Sequence, residues 1–343
     1  MTNHAEPVRW GVLGVADIAV RKVVPAVASS EVTSIEAIAS RSGERARSAA
    51  HRLGVLRAHG SYEALLDDPA IEAVYIPLPN SMHAEWTIAA ARAGKHVLCE
   101  KPLALSADEA RHVADACEHA GVLLMEAFMY RLHPLWRTVL DIVRGGRIGD
   151  VLAAVTTFSY ANDDPGDIRN QVPMGGGALY DIGCYGVSVA RLVFDAEPDH
   201  VHATIGHDPV GGTDVVTSAV LDFGGRHGTI VCSTRVEDAQ RVELLGTAGR
   251  LVVDIPFNIP TDRPTQVHVV AGGDPPVAPT VDTIEVPTAD AYAIEVDALS
   301  RSIRTGAPVP IPPADSIANA AVIDRLVAGA RTAPARLPSA AAG

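Results

Sequence analysis

The chain has 343 residues, with 28 Lys and Arg against 41 Asp and Glu, for a formal net charge of −13 with histidine neutral. At roughly 100–200 residues per domain this length fits two domains, each able to bury a core, and a field of this sign repels nucleic-acid backbones and anionic lipid. With 48% hydrophobic and 20% charged residues it is too apolar for disorder, and no uncharged apolar run reaches the roughly 20 residues needed to span a bilayer.

The opening MTNHAEPVRWGVLGV lacks the basic stretch, long apolar run and small-residue cleavage site of a secretory signal. Cys99, Cys117, Cys184 and Cys232 stand far apart with no CxxC pair, so reduced thiols and a cytoplasmic location are expected. No metal site is expected either. The 13 histidines are scattered, and His200 and His202 read as one face of a strand.

From Val8 to about Met125 the segments VRWGVLGV, TSIEAIAS, AVYIPLP, HVLCE and VLLMEAF read as strands, separated by four helix-like stretches. The strands are near-continuous apolar runs, as in a parallel sheet covered on both faces, so this part is expected to be an α/β, Rossmann-like doubly wound domain over 1–125. From 126 to 343 an α+β domain is expected, with an open-faced, mostly antiparallel sheet and helices. Its strands are VLAAVTTFSY, HVHATIG, VVTSAVLDF, HGTIVCST, RVELLG, RLVVD, TQVHVV and TIEVP, with a tight hairpin at Gly224-Gly225. Two helices interrupt it early, MYRLHPLWRTVLDIVRGG and GGALYDIGCYGVSVARLVF. Two more close it near 290–305 and 313–331, ahead of a tail expected to fray from 332.

The first strand runs into Gly14-Val15-Ala16-Asp17-Ile18-Ala19 and a helix. Gly14 provides the tight turn, Ala16 the small residue at which backbone approaches a pyrophosphate, and Ala19 the close helix packing of a dinucleotide turn, although alanine at the second position departs from GxGxxG. Asp17 and Ile18 then lie at the helix N-terminus, where an anion is favoured. An acidic residue at the tip of the second strand would mark NAD. Here the tip is Ser40-Arg41, with Arg45 one turn on, which suits the 2′-phosphate of NADP, while Glu36 lies inside the strand and is discounted. The third strand ends in Pro77, Leu78, Asn80 and His83 and the fourth in Glu100-Lys101-Pro102, at the edge where open α/β sheets bind ligands. In the second half Asp181 and Tyr185, four apart, share a helix face after Gly175-Gly176-Gly177. A phenol there becomes a useful acid/base only if a cation such as Lys101 stabilises its phenolate.

The glycine turn, Glu100–Pro102, Pro79–His83, MEAFMYRLHP over Met125–Pro134 and GGGALYDIGCY over Gly175–Tyr185 together resemble the Gfo/Idh/MocA oxidoreductases over nearly the whole chain. Within that family the pattern is closer to sugar 3-ketoreductases, the glucose-fructose oxidoreductase branch and NADP-dependent pentose dehydrogenases than to inositol dehydrogenases, which carry histidine where this sequence has Tyr185. The resemblance implies an NADP-dependent enzyme moving hydride between nicotinamide and a sugar-like hydroxyl or carbonyl. Lys101 would polarise the substrate oxygen, Asp181 would orient the sugar and Tyr185 would be the acid/base. It implies that Arg169 lies near the nicotinamide or the substrate, and that the second domain binds substrate and makes a homodimer or homotetramer through its sheet. Substrate contacts are expected among Tyr160, Asn162, Arg131 and Arg235. The alternative is an NADP-binding sensor or scaffold without turnover, which the joint presence of Lys101, Asp181 and Tyr185 disfavours.

Overall fold

The computed structural model describes residues 6–271 and 280–335. In chain order β1 (Val8–Leu13) leads into a helix that opens with a π-type turn over Ala19–Val23 and continues as α1 (Val24–Ala26). There follow β2 (Thr33–Ala39), α2 (Gly43–Leu53), β3 (Arg57–His59), α3 (Tyr62–Leu66), β4 (Ala73–Ile76), α4 (His83–Arg92), β5 (His96–Glu100), α5 (Ala107–His119) and β6 (Leu124–Ala127). The six strands pair in parallel in the order β3-β2-β1-β4-β5-β6. The chain therefore reverses direction across the sheet between β1 and β4, the switch point beside which open α/β sheets bind ligands. Ser42, Ser61 and Ser106 begin α2, α3 and α5 by accepting the backbone N–H three residues on. Sequence reading expects five strands here. The sixth, β3, is three half-buried residues at the sheet edge, with no apolar run to announce it.

The chain continues through α6 (Pro134–Arg144), β7 (Val151–Ala161), α7 (Cys184–Phe194), β8 (His200–His207), β9 (Asp214–Asp222), β10 (His227–Ser233), β11 (Arg235–Gly246), β12 (Gly249–Val253), β13 (Thr265–Ala271) and β14 (Val281–Val286). It closes with α8 (Ala291–Thr305), α9 (Pro313–Gly329) and β15 (Arg331–Pro334). The second sheet runs β14-β13-β12-β11-β7-β10-β9-β8-β15 and is antiparallel except at β7/β10 and β8/β15. Gly224 and Gly225 make the expected hairpin, both at positive φ (+68° and +87°), with Phe223 N–H donating to Arg226 O. The tail departs from expectation. Arg331–Pro334 pair with Thr204–His207 as an edge strand, and the rest of the expected frayed segment, 336–343, lies outside the described residues.

The chain divides into two compact units, Met1–Leu132 with Asp290–Ile317, and His133–Ala289 with the chain from Ala318 on. This corrects the expectation that both closing helices and everything after 125 belong to the second domain. α8 returns to the first unit because its polar face meets the first sheet. The Trp10 indole N–H donates to Ser300 Oγ at 2.9 Å, Thr33 Oγ1 donates to Asp297 at 2.8 Å, and Arg304 grips Glu72 in a bidentate pair at 2.8 and 2.9 Å.

The first unit buries two carboxyls, Glu126 on β6 and Glu295 on α8, each 2% exposed. Burial is the main cause that pushes Glu126 up to about 7, although the Leu103 N–H (2.8 Å) and Arg131 favour its charged form. Burial pushes Glu295 well above the carboxylate range, helped by the charges of Glu100 and Glu126. The folded state thus holds the Glu126 proton more tightly than the unfolded chain, so its contribution to stability is present at low pH and lost as pH rises from about 4.5 to 7. Glu126→Gln keeps an acceptor for Leu103 and cannot ionise. Its stability relative to the parent is expected to rise between pH 5 and pH 8, by about 3 kcal/mol at most at roughly 1.4 kcal/mol per pH unit. Denaturant melts of both proteins across that range check this, and curves that stay parallel would sink it.

Candidate active site

In the first unit Gly14 turns at φ +123°, a conformation that side chains resist, and a Cβ there would press on Leu78 Cδ2 at 3.1 Å. The Gly14 turn and the end of β4 are thus in contact, with Pro77 and Leu78 buried. Ala16 and Ile18 are half-exposed and Asp17 is exposed at the start of the helix, where Val20 N–H bonds Ala16 O. Beside the turn lies an open pocket lined by Val15, Asp17 and Val20 on one side and Arg45, Ser48 and Arg52 of α2 on the other. Arg41 and Arg45 are exposed, and both stand near Tyr62, where they oppose the rise that burial imposes on its phenol. Ser40 is buried, its Oγ accepting Ser42 N–H at 3.3 Å, and Glu36 is ion-paired with Arg57 inside β2. A helix N-terminus, a glycine-turned backbone and exposed guanidiniums around a concavity fit the phosphates of a dinucleotide.

Three buried side chains hold the segment around Lys101. Tyr75 Oη donates to Glu100 Oε1 at 2.6 Å, Glu126 Oε1 accepts Leu103 N–H at 2.8 Å, and between them His83 sits with Nδ1 2.7 Å from Pro102 O and Nε2 2.8 Å from Leu78 O. Lys101 N–H also reaches Glu100 Oε2 at 3.3 Å. His83 was expected to reach a cofactor, but its ring is fully buried and both nitrogens face backbone carbonyls. It braces the ends of β4 and β5 against each other. Asn80 opens the short 3₁₀ turn Asn80–Met82 ahead of α4.

In the second unit Asp181 lies in a π-type turn, Leu179–Gly183, and Tyr185 lies in the first turn of α7. Such turns are frequent at functional sites. The glycines before them are packing requirements. A side chain at Gly176 would run into the Arg169 carbonyl, and one at Gly177 (φ +128°) into the Asp214 carboxylate. Gly177 N–H instead bonds Arg169 O at 2.9 Å, while Asp214 Oδ2 accepts Leu179 N–H at 2.7 Å and Thr217 Oγ1 at 3.1 Å. Burial raises the Asp214 carboxyl above its ordinary value in spite of those donors. Tyr160 Oη donates to Asp181 Oδ2 at 2.5 Å, and Arg169 Nε approaches the same oxygen at 3.3 Å. Burial, reinforced by the Asp181 charge, drives the Tyr160 phenol far above its usual range.

Tyr185 is 5% exposed, and its ring meets Phe158 edge-on at 5.5 Å and Phe257 at 4.9 Å, with Phe158 and Phe257 stacked on each other. Sequence reading missed Phe257 and its supports. The loop after β12 is anchored by Gln240 Oε1, which takes the N–H of Phe257 and Asn258 at 3.0 Å, and by the Trp136 indole N–H on Pro256 O at 2.8 Å. An isolated Phe in an irregular loop carries no periodic signal.

Two side chains expected to meet substrate are committed elsewhere. Arg235 bonds Asp208 (3.1 Å), Asn170 Oδ1 (2.8 Å) and the Asn162 carbonyl, fastening the loop after β7, and Arg131 pairs with Asp315. Asn162 is part of that same loop fastening, accepting from Asn170 Nδ2. Lys101 belongs to the first unit, and Asp181 and Tyr185 to the second. Among the described residues no group of three His, Cys, Asp or Glu is arranged to hold a metal ion, and no helix is long and apolar enough to cross a membrane.

Comparisons with known proteins cover both units. Residues 8–128 match the family model described as "Oxidoreductase family, NAD-binding Rossmann fold", and residues 136–252 match the GFO/IDH/MocA C-terminal domain. The chain is 47% identical to an uncharacterized oxidoreductase, ORF334, of Rhizobium meliloti, over 89% of this chain and 91% of that one. It is 42% identical to the NADP(+)-dependent D-xylose 1-dehydrogenase 2 of Haloferax volcanii, over 95% of this chain and 98% of the relative. Its fold superposes with a TM-score of 0.90 and 34% identity on KijD10, a 3-ketoreductase from Actinomadura kijaniata crystallised with NADP and TDP-benzene, covering 96% of this chain and all (100%) of the other.

Proposed function

The chain belongs to the Gfo/Idh/MocA oxidoreductases and is an NADP-dependent oxidoreductase of sugar-like hydroxyl or carbonyl groups; from that premise we propose that Tyr185 is its acid/base, assisted by Lys101, with Asp181 orienting the substrate. The observation that carries this assignment is the contrast between Tyr160 and Tyr185 in the second unit. Tyr160 is bound through its proton to a carboxylate, and burial and charge both oppose its ionisation. Tyr185 is held by ring packing against Phe158 and Phe257, one turn after Asp181. Tyr185 gives its proton to the carbonyl oxygen in the reductive direction and takes one from the hydroxyl in the oxidative direction. The Lys101 ammonium favours the phenolate and the negative oxygen that develops on the substrate.

When bound, NADP supplies the hydride acceptor or donor. The Gly14 turn with Ala16, Asp17 and Ile18 would take its pyrophosphate, Ser40, Arg41 and Arg45 its 2′-phosphate, and Pro77, Leu78, Asn80 and Glu100 would line the remainder. His83 serves by holding the backbone of Leu78 and Pro102. The four cysteines are free and buried, which supports a reducing, cytoplasmic setting, and the acidic net charge disfavours nucleic acid as a partner.

One face of the second sheet leaves the aliphatic side chains of Val216, Val220, Val231 and Leu245 36–40% exposed, and strand pairing puts all four on that face. An exposed aliphatic face of this kind marks an association surface, and a homodimer or homotetramer through it is the arrangement we favour.

Tyr185→Phe keeps the packed ring and removes the proton. Turnover with D-xylose and NADP is expected to fall by roughly 10²–10⁴-fold while NADP affinity changes little. Turnover close to the parent's would reassign Tyr185 to packing. Arg41→Ala is expected to raise the NADP dissociation constant by about 10- to 100-fold and to leave that for NAD unchanged, as loss of one charge-assisted contact would. Equal weakening of both cofactors would remove Arg41 from the 2′-phosphate site. Val231→Arg, at the middle of the exposed face, is expected to convert the oligomer to monomer in light scattering, and an unchanged mass places the interface elsewhere.

A further inference from the structure

Resting on the reading of Asp181 as the substrate-orienting group, we infer that Tyr160 and Arg169 are positioning residues which fix Asp181 as an acceptor-only carboxylate, so that the substrate must offer it a hydroxyl donor. Two donors from separate segments converge on one oxygen. Tyr160 at the end of β7 donates to Asp181 Oδ2 at 2.5 Å, and Arg169 Nε stands 3.3 Å from the same atom. Arg169 is itself constrained. Its N–H bonds Asp167 Oδ1 at 2.8 Å, its guanidinium lies 3.4 Å from that oxygen, and its carbonyl takes Gly177 N–H at 2.9 Å.

The Arg169 cation and the Tyr160 phenol donor beside it both favour the ionised form of Asp181. A guanidinium only donates, and an ionised carboxylate only accepts, so the phenol proton of Tyr160 points at Asp181. A phenol–carboxylate contact this short beside a cation is a charge-assisted bond, stronger and more directional than a neutral one. A sugar group meeting the other carboxylate oxygen therefore has to be a hydroxyl that donates, because a carbonyl or ether oxygen would set lone pairs against lone pairs. Tyr160 and Arg169 thus act on the substrate through Asp181 and hold its Oδ1 in one orientation.

The test uses the full chain with saturating NADP and D-xylose as the probe, in Tyr160→Phe, Arg169→Gln, Arg169→Lys, Asp181→Asn and the double variant Tyr160→Phe/Asp181→Asn. Parent turnover of D-xylose and a raised KM in Asp181→Asn test the earlier reading and are measured first. For the present inference Tyr160→Phe and Arg169→Gln are expected to raise the KM for D-xylose by about tenfold, the lower end of the loss of one charge-assisted bond, with a smaller fall in kcat and an unchanged KM for NADP. Arg169→Lys should restore most of the loss, and the double variant should be no worse than Asp181→Asn alone, because Tyr160 has then lost the group it acts through. If Asp181→Asn raises KM while Tyr160→Phe leaves it unchanged, or if the two penalties multiply in the double variant, the inference is overturned.

Discussion

In each unit a segment with a candidate site residue is held by a carboxyl group, fully buried in one case and half-buried in the other, that takes a backbone N–H two residues away from that side chain. Glu126 accepts Leu103 N–H, two residues after Lys101, and Asp214 accepts Leu179 N–H, two residues before Asp181. Both acids sit above their ordinary pKa because burial disfavours their charge more than the hydrogen bonds restore it. Taking a carboxyl out of water costs several kcal/mol, whereas a single amide bond returns about 1. Their benefit is geometric, since a short loop tied at a fixed atom cannot drift relative to the sheet behind it.

The glycines follow from the same constraint. Gly177 is glycine because the Asp214 carboxylate occupies the space of its Cβ, and Gly176 because the Arg169 carbonyl does. The Gly175-Gly176-Gly177 run is therefore a seam joining three segments: the loop before Gly175, the start of β9, and the turn that carries Asp181. Gly14 differs, in that its φ of +123° is itself the requirement, with Leu78 closing over it. Both turns lead into a π-type helical turn, over Ala19–Val23 in one unit and Leu179–Gly183 in the other, so both helices begin with widened geometry.

What the sequence makes legible is what periodicity and local chemistry encode. Five of the six parallel strands are near-continuous apolar runs, and the Gly224-Gly225 hairpin follows from two residues free to take positive φ. β3 escapes because three half-buried residues at an edge have no pattern. The allegiance of α8 escapes because amphipathicity tells that a helix has a buried face but not which sheet covers it, and the answer lies in Trp10–Ser300 and Glu72–Arg304, pairs distant in sequence. Arg235 and Arg131 look like substrate ligands until their partners are seen, Asp208 and Asp315, 27 and 184 residues away. His83 errs for the same reason, since a histidine after a strand reads alike whether its ring faces a ligand or lies between two carbonyls.

Tyr160 and Tyr185 show how one residue type meets different surroundings within the second unit. Tyr160 has an anion at its hydroxyl, so its proton is bound in place and its chemistry is to donate one strong hydrogen bond. Tyr185 has the Phe158 and Phe257 rings packed against its own, which fix the direction of its C–O bond. A proton-transfer group needs that second kind of support, because the hydrogen bonds that best immobilise a phenol are the ones that most oppose its ionisation. Ring packing of the kind that Phe158 and Phe257 give Tyr185 orients a phenol without itself opposing ionisation through charge.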